Sequence, residues 1–204
     1  MLKSDNLLAN DGWVPKSYLQ EIADYQPKDE KEKQDKKVML DYLKRYPQNV
    51  LSRENEIAHL TVAAFILNKE QTRVLMAYHL IFQSFAWLGG HADGNVNLLE
   101  VALKEAREET GLTNPIPLSN QIAALDILPV WSHVKNGKPI NSHLHLNVSY
   151  LLVADEKEPL TIKSDENSAV AWIPIAQLKE YCSEPDMMPV YKKLIQAAHH
   201  FQGN

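Results

Sequence analysis

The sequence lacks three features that define other classes of protein. It contains a single cysteine, Cys182, so no disulfide bond can form within the chain, and this usage is typical of a reducing compartment. No run approaches the roughly 20 apolar residues that a membrane-spanning helix needs. Residues Met1–Trp13 include Ser, Asp and Asn where a signal peptide has an apolar run. We therefore expect a cytoplasmic protein with no membrane partner.

A strong excess of charge is also missing. The formal net charge is −5, from 21 basic and 26 acidic residues, so the composition does not favour binding to a nucleic-acid polymer. The remaining composition is ordinary for a globular protein, with 45% hydrophobic and 23% charged residues. The length of 204 residues suits one domain, or one domain with an N-terminal extension.

Apolar periodicity predicts helices at the start of the chain. One spans Pro15–Tyr25, and a second, amphipathic helix spans Lys28–Tyr46. The dense mixture of acids and bases over the first ten residues of this second helix is typical of a solvated face. We interpret residues 1–55 as an N-terminal helical extension and residues 56–204 as the main domain. The sequence leaves open whether the extension only packs on the domain, lines a substrate pocket or forms a homodimer contact.

From residue 58 the pattern changes to strands. Leu60–Leu67 is apolar almost throughout, as in a strand that is buried on both faces. Ile122–Val134 is a long strand region that we expect to break at Pro129, and Asn136-Gly137 predicts a hairpin turn. The other predicted strands are Val74–Tyr78, Phe85–Leu88, Ser142–Val153 and Val170–Ile173, and the late helices are Pro174–Tyr181 and Pro189–Phe201. This order predicts an α+β protein in which helices cover a mixed sheet.

A glycine-rich loop, Gly89–Gly94, leads into one strongly patterned helix. Asn97 is a plausible N-cap, and Glu100 is placed three residues later to reach back to the N–H of the cap residue. Gly111 provides the left-handed C-cap. Three carboxylates at positions i, i+3 and i+4 share one face of this helix: Glu105, Glu108 and Glu109. Hard divalent cations such as Mg2+ take oxygen ligands and would relieve the repulsion between these side chains.

The alternative for this helix is a solvated surface with Glu/Lys pairs, such as Lys104 with Glu108. The flanking glycines argue against it, because a loop with so little side chain lets backbone atoms approach a metal or a phosphate closely. The whole segment resembles the Nudix box, G-x5-E-x7-R-E-U-x-E-E-x-G-U, where U is apolar. The matching residues are Gly90, Glu105, Ala106, Glu108, Glu109, Gly111 and Leu112. Two positions depart from the pattern, since Val96 replaces its first glutamate and Lys104 replaces its arginine.

The resemblance implies the Nudix fold, an α/β/α sandwich with a mixed sheet and the box helix packed against it. It implies a metal-dependent pyrophosphohydrolase that cleaves a diphosphate bond in a nucleoside diphosphate linked to another group. The implied cofactor is Mg2+, with Mn2+ as a possible substitute, and the implied metal ligands are Glu105, Glu108, Glu109 and the carbonyl of Gly90. Glu166, in the loop before a late strand, is the candidate for a further metal ligand or general base, with a plain solvated residue as the alternative.

Alternation over Ser142–Val153 places His143 and His145 on one strand face. If that face lines the cleft, we expect both histidines to hydrogen-bond phosphate oxygens or the leaving group, and a half-exposed face without a role is the alternative. His91 follows the double glycine, and we expect it to shape the loop.

Two other functions remain open at this point. One is a Nudix-fold binding or regulatory protein with weakened catalysis, which Val96 and Lys104 favour because lysine cannot make the two-pronged contact of arginine. The other is an isopentenyl-diphosphate isomerase, which shares the fold. That enzyme uses a cysteine early in the domain, whereas Cys182 lies near the C-terminus. The sequence does not identify which nucleoside diphosphate derivative is the substrate.

Overall fold

The computed structural model describes residues 17–80, 83–135, 137–162 and 167–201. The strands are β1 (Ala58–Asn68), β2 (Arg73–His79), β3 (Ser84–Ala86), β4 (Leu88–His91), β5 (Ile116–Pro117), β6 (Ala124–Val130), β7 (His133–Lys135), β8 (Lys138–Ile140), β9 (His143–Ala154) and β10 (Asn167–Pro174). The helices are α1 (Tyr18–Asp24), α2 (Glu30–Arg45), α3 (Leu98–Thr110), α4 (Leu178–Tyr181) and α5 (Met187–Phe201). Within the described ranges, no helix is both long and apolar enough to cross a membrane.

The main sheet is mixed, as predicted. β1 lies parallel to β9 along its whole length, with Ala58 opposite Leu144 and Asn68 opposite Ala154. The other edge of β1 pairs in antiparallel fashion with β4 and then with β2, and β10 follows beyond β2. The outer edge of β9 pairs with β6 and β5. Every residue of β1 is buried, which confirms the prediction of a strand covered on both faces.

Helices cover the two faces of this sheet, which gives three layers. The even-numbered side chains of β1, such as Leu60 and Val62, pack in one core with α1, α2 and α3. The odd-numbered side chains Phe65 and Leu67 pack in a second core with α4 and α5. Alternate residues of a strand point to opposite faces, so one apolar strand supplies both cores. The predicted α/β/α arrangement is confirmed.

The N-terminal helices are joined to the sheet by a buried carboxylate. Glu32 of α2 is fully buried and accepts hydrogen bonds from the Tyr25 hydroxyl (2.8 Å) and from the Leu125 backbone N–H (3.0 Å). The Lys193 ammonium of α5 lies 3.1 Å from Glu32 and 2.8 Å from Asp126. Burial acts to lower the pKa of Lys193, but these two carboxylates outweigh it and the pKa is raised. The prediction of a solvated face over this part of α2 is therefore wrong for Glu32.

The expected strand break at Pro129 is also wrong. β6 continues through Pro129 to Val130, and the interruption falls at residues 131–132, before β7. The backbone N–H groups of Leu125 and Ile127 point away from β9, because they donate to Glu32 and Asp35 of α2. Pro129 continues this alternation, so its missing N–H lies on the outer side and the ladder with β9 is intact.

Further boundaries differ by a few residues. α1 begins at Tyr18, where the Ser17 hydroxyl accepts from the Gln20 N–H at 3.3 Å and caps the helix. Pro174 ends β10 instead of opening a helix, and a 3-10 turn over Ile175–Gln177 precedes α4. β7 and β8 form the predicted hairpin, in which Gly137 has a left-handed φ of 74°. The other turn residue, Asn136, lies outside the described residues.

Candidate active site

Helix α3 begins and ends as its cap residues predict, with one difference. The Asn97 side-chain oxygen accepts from the Glu100 N–H at 3.2 Å, and Gly111 is left-handed with φ of 75°. The reciprocal half of the predicted capping box is wrong. The N–H of Asn97 donates to the side chain of Asn95 at 2.9 Å, so Asn95 takes the part expected of Glu100, which is exposed.

Two of the three predicted carboxylates face the double glycine of β4. Glu109 is buried and accepts a hydrogen bond from the backbone N–H of Gly89, at 3.3 Å from its Oε2. Glu105 is half-buried and packs so closely on Gly90 that a Cβ atom added there would lie 2.5 Å from the Glu105 carboxyl carbon. Glu108, one turn along the same face, is exposed. The structure thus brings Glu105 and Glu109 of the helix face beside the glycine loop.

Gly89 and Gly90 are needed for different reasons. A Cβ on Gly89 would lie 2.2 Å from the Val62 carbonyl oxygen of β1, a rigid backbone atom. The three atoms nearest to a Cβ on Gly90 would all belong to the carboxylate at the end of the flexible Glu105 side chain. The first glycine therefore permits the pairing of β4 with β1, and the second makes room for a carboxylate beside the backbone.

The carboxylate face already attracts a cation. The Lys104 ammonium lies 3.7 Å from Glu105 and 3.5 Å from Glu108, which agrees with the predicted Lys104–Glu108 pair. Lys104 and Glu108 are both largely exposed, so this pair contributes only about 0–1 kcal/mol to stability. The carboxylates of Glu105, Glu108 and Glu109 offer only oxygen donors, and a hard divalent cation takes oxygen ligands.

Two further positions singled out in the sequence are Val96 and Glu166. Val96 is 59% exposed in the loop before α3, so its position has room for a glutamate. Glu166 lies outside the described residues.

His143 and His145 do share a face of β9, as the alternation predicts, and their Nε2 atoms are 3.2 Å apart. The structure adds His59 of β1 and His91 of β4 to this pair. Ring centroids of neighbouring members lie 4.9–5.3 Å apart, and we call these four residues the histidine cluster.

The histidine cluster and the carboxylates lie on opposite faces of β4. Gly90 is opposite Val62, which packs in the core with α3, whereas His91 is opposite Thr61, which bonds to Asn147 on the other face. Residues directly opposite in an antiparallel pair project to the same side. The chain therefore turns Gly90 towards Glu105 and His91 towards His145.

Burial keeps members of the histidine cluster uncharged. It lowers the pKa of His145 to about 2, assisted by the charges that His91, His59, His143 and Arg53 would place beside it. Burial also lowers the pKa of His59, partly opposed by its hydrogen bond to the Asn55 backbone. These imidazoles are neutral near pH 7.

Sequence reasoning missed His59 entirely and gave His91 only a part in shaping the loop. The i, i+2 spacing of His143 and His145 was visible in the sequence, but the two additional histidines reach them only through strand pairing. His59 lies opposite His145 in the parallel β1–β9 ladder.

Comparison with known proteins places these features in a family. A family model described as NUDIX domain matches residues 57–197. Among similar solved structures, a NUDIX-family hydrolase from Clostridium perfringens has 22% identity and a TM-score of 0.46 over 68% of this chain and 96% of its own. The E. coli dihydroneopterin triphosphate pyrophosphohydrolase has 14% identity and a TM-score of 0.47 over 70% and 93%. The NUDIX domain of Shewanella oneidensis NrtR, solved with ADP ribose, has 17% identity and a TM-score of 0.47 over 75% and 94%.

A search of curated protein sequences finds no significant match. Identities below 25% do not transfer a substrate from any of the three structures to this chain. The family match begins just before β1 and ends within α5, so it contains the main sheet and the whole Gly90–Leu112 segment. Because this match spans more than half of the chain, the protein belongs to the Nudix family, and it is a hydrolase that acts on phosphoanhydride bonds.

Proposed function

We propose that this protein is a Mg2+-dependent pyrophosphohydrolase whose substrate is a nucleoside diphosphate linked to another group. The observation that carries the proposal is the common face of α3, on which Glu105 and Glu109 meet the Gly89–Gly90 backbone and Glu108 is open to solvent. We assign the metal to these three carboxylates and the Gly90 carbonyl, with Mn2+ as a possible substitute. When bound, such an ion screens the phosphate charge and lowers the pKa of a coordinated water.

The protein residues have separate tasks in this proposal. The hydrogen bond from Gly89 orients the Glu109 carboxylate, and the close packing on Gly90 limits the positions of Glu105. Glu108 is the exposed member and the one most accessible to a substrate-bound ion. In the metal-free form the Lys104 ammonium pairs with Glu105 and Glu108. A divalent ion would displace it, because such an ion interacts more strongly than an ammonium with the same oxygens. Glu166 remains our candidate for a further metal ligand or the general base.

A substrate screen tests this proposal directly. Purified protein is offered nucleotide sugars, ADP-ribose, CDP-alcohols and oxidised nucleoside triphosphates, with Mg2+ or Mn2+, and release of the phosphorylated products is measured. We expect turnover of at least one diphosphate-linked compound that stops on addition of EDTA. Turnover that is indifferent to EDTA would refute the metal assignment. Tight nucleotide binding with no hydrolysis of any compound would favour the binding or regulatory alternative.

A further inference from the structure

The histidine cluster brings several potential metal ligands together in a partly buried position. Ligand nitrogens of His59, His91 and His145 all lie within 4.8 Å of one another. His59 is 5% exposed, and His91 and His145 are half-buried. The Nε2 of His143 lies 3.2 Å from the Nε2 of His145 and so adds a fourth nitrogen at the edge of this group. Four imidazoles from β1, β4 and β9 thus converge on one small region.

Backbone carbonyls fix the tautomers of two members. The Nδ1 of His59 lies 2.9 Å from the Asn55 carbonyl oxygen, and the Nδ1 of His143 lies 2.8 Å from the Asn141 carbonyl oxygen. A carbonyl can only accept, so each Nδ1 carries a hydrogen and, in the neutral ring, each Nε2 presents a lone pair. A ring N–H that donates to a backbone carbonyl is the usual support of a metal-binding histidine.

Asn55, whose carbonyl oxygen accepts from His59, is itself fixed by hydrogen bonds. The side-chain oxygen of Asn55 accepts from the Tyr42 hydroxyl of α2 at 2.9 Å and from the Ala58 N–H at 3.2 Å. These bonds anchor the residue whose carbonyl orients the imidazole. The ring of His59 is therefore positioned before any ligand arrives, which reduces the entropy cost of binding.

The Nε2 of His59 lacks a hydrogen-bond partner among the described residues, although the atom is fully buried. Leaving a buried polar atom unsatisfied destabilises the folded protein. A cation in the cluster would accept this lone pair and remove that cost. The Nε2 of His143 also presents a lone pair, and it faces the Nε2 of His145 at 3.2 Å, where either a hydrogen on the His145 nitrogen or a shared cation satisfies both atoms.

The lone pair that His59 presents favours a metal ion over an anion. Zinc–nitrogen bonds of about 2.0–2.1 Å in a tetrahedral site place neighbouring ligand nitrogens about 3.3 Å apart. The nitrogens of His143 and His145 are 3.2 Å apart, and those of His59, His91 and His145, which lie within 4.8 Å of one another, would draw closer on binding. An anion such as phosphate needs donors, whereas the fixed tautomer of His59 presents a lone pair. The charge of Arg53 acts on His59 and His145, but its guanidinium already makes two hydrogen bonds to Asp93, at 3.0 and 2.8 Å.

We propose that His59, His91 and His145 bind a divalent transition-metal ion of the zinc type, with His143 as a fourth ligand or as the direct support of His145. Imidazole suits Zn2+, Cu2+, Ni2+ and Fe2+, and three histidine ligands leave a coordination position for water or substrate. The site is separate from the carboxylate site and does not depend on the proposed Mg2+ function.

The experiment uses the full chain after treatment with a chelator and gel filtration. Zn2+ is titrated by calorimetry, and Co2+ is added as a spectroscopic probe, because four-coordinate Co2+ absorbs visible light much more strongly than the six-coordinate ion. The cluster variants are His59→Asn and His145→Asn. The matched control is His133→Asn, since His133 also contacts a carbonyl two residues earlier through its Nδ1 but lies outside the cluster, in β7. The double variant Glu108→Gln/Glu109→Gln removes the competing carboxylate site.

We expect one Zn2+ per chain in the wild type, in His133→Asn and in the double glutamine variant. Removing a direct ligand should weaken Zn2+ binding by at least about 100-fold, since supporting residues alone change affinity 10–100-fold. Unchanged Zn2+ affinity in His59→Asn and His145→Asn would overturn the proposal, as would loss of Zn2+ only in the double glutamine variant. If the cluster variants do not fold, the Co2+ spectrum of the wild type decides, and a weak six-coordinate spectrum overturns the assignment. Thermal stabilisation by inorganic phosphate without Zn2+ binding would make the cluster an anion site instead.

Discussion

The box helix and the histidine cluster form a natural comparison, because they flank the same short strand. Gly90 faces one of them and His91, the next residue, faces the other. The first offers carboxylate oxygens from a single helix, and the second offers imidazole nitrogens from three strands, with His59 buried and the other three histidines half-buried. Hard cations prefer oxygen, and borderline transition metals prefer imidazole. One residue step along β4 thus separates two surfaces suited to different ions.

The largest effect is expected on turnover, from a substitution in the box helix. We expect Glu109→Gln to lower turnover by about 10³-fold or more, because the metal-dependent stabilisation amounts to several kcal/mol. The fold should persist, since the glutamine oxygen can still accept from the Gly89 N–H. Rates are measured on the substrate found in the screen, and the melting temperature serves as the control. Equal rates in the two proteins would remove our carboxylate assignment.

The double glycine allows a sharper test within β4 itself. Gly89→Ala should destabilise the protein by about 1–3 kcal/mol, or more, because its Cβ would clash with the backbone of Val62. Gly90→Ala should leave stability nearly unchanged and lower turnover, because its Cβ displaces only the flexible Glu105 carboxylate. Urea unfolding and steady-state rates are measured for both variants. If Gly90→Ala were the less stable of the two, the packing described for Glu105 would be incorrect.

The histidine cluster should make the metal-free protein sensitive to acid. The pKa of His145 is about 2 in the folded protein and about 6.5 in an unfolded chain. Above pH 6.5 the residue is neutral in both states, and its stability contribution is intact. Below that pH the unfolded chain binds a proton that the folded protein does not, so stability falls.

The expected loss attributable to His145 is about 2 kcal/mol between pH 6.5 and 5, at about 1.4 kcal/mol per pH unit. The groups that face it are His59, His91, His143 and Arg53. The free energy of unfolding is measured in the presence of EDTA at pH 7 and pH 5 for the wild type and for His145→Gln. The variant should lose less stability than the wild type, and identical losses would mean that His145 is accessible to protons.

The smallest effect concerns the departure at Val96. We expect Val96→Glu to raise turnover or leave it unchanged, within about tenfold, which is 1.4 kcal/mol or less. The side chain is 59% exposed, so a carboxylate is accommodated without burial. Zn2+ affinity should not change, because the position is on the loop before α3 and not in the cluster. A large loss of turnover would show that the alignment starting at Gly90 is incorrect.

The sequence predicted best those features that depend on residues close together in the chain. The caps Asn97 and Gly111 follow from local backbone chemistry, and so does the common face of Glu105 and Glu109. The mixed sheet was predicted because strand patterns alternate with helices along the chain. The Pro129 error arose for the opposite reason. Whether a proline breaks a strand depends on which edge its missing N–H faces, and that is set by the register of β6 on β9, with the outward N–H groups donating to α2.

The burial of Glu32 likewise could not be predicted from the local sequence. Glu32 lies in a stretch of alternating acids and bases that, by composition alone, is a solvated face. Its burial depends on Lys193, Tyr25 and the Leu125 N–H, which compensate for the lost water only when three elements assemble. A carboxylate without such partners is almost never fully buried.

The sequence by itself determined the family signature and the box helix, because helical periodicity places residues three and four apart on one face without help from the rest of the chain. It also determined that His143 and His145 share a face, since strand alternation is equally local. Only the tertiary structure decided that His59 and His91 join them. The parallel ladder of β1 with β9 and the antiparallel ladder of β1 with β4 bring together residues far apart in the chain, and no local periodicity encodes which strands pair.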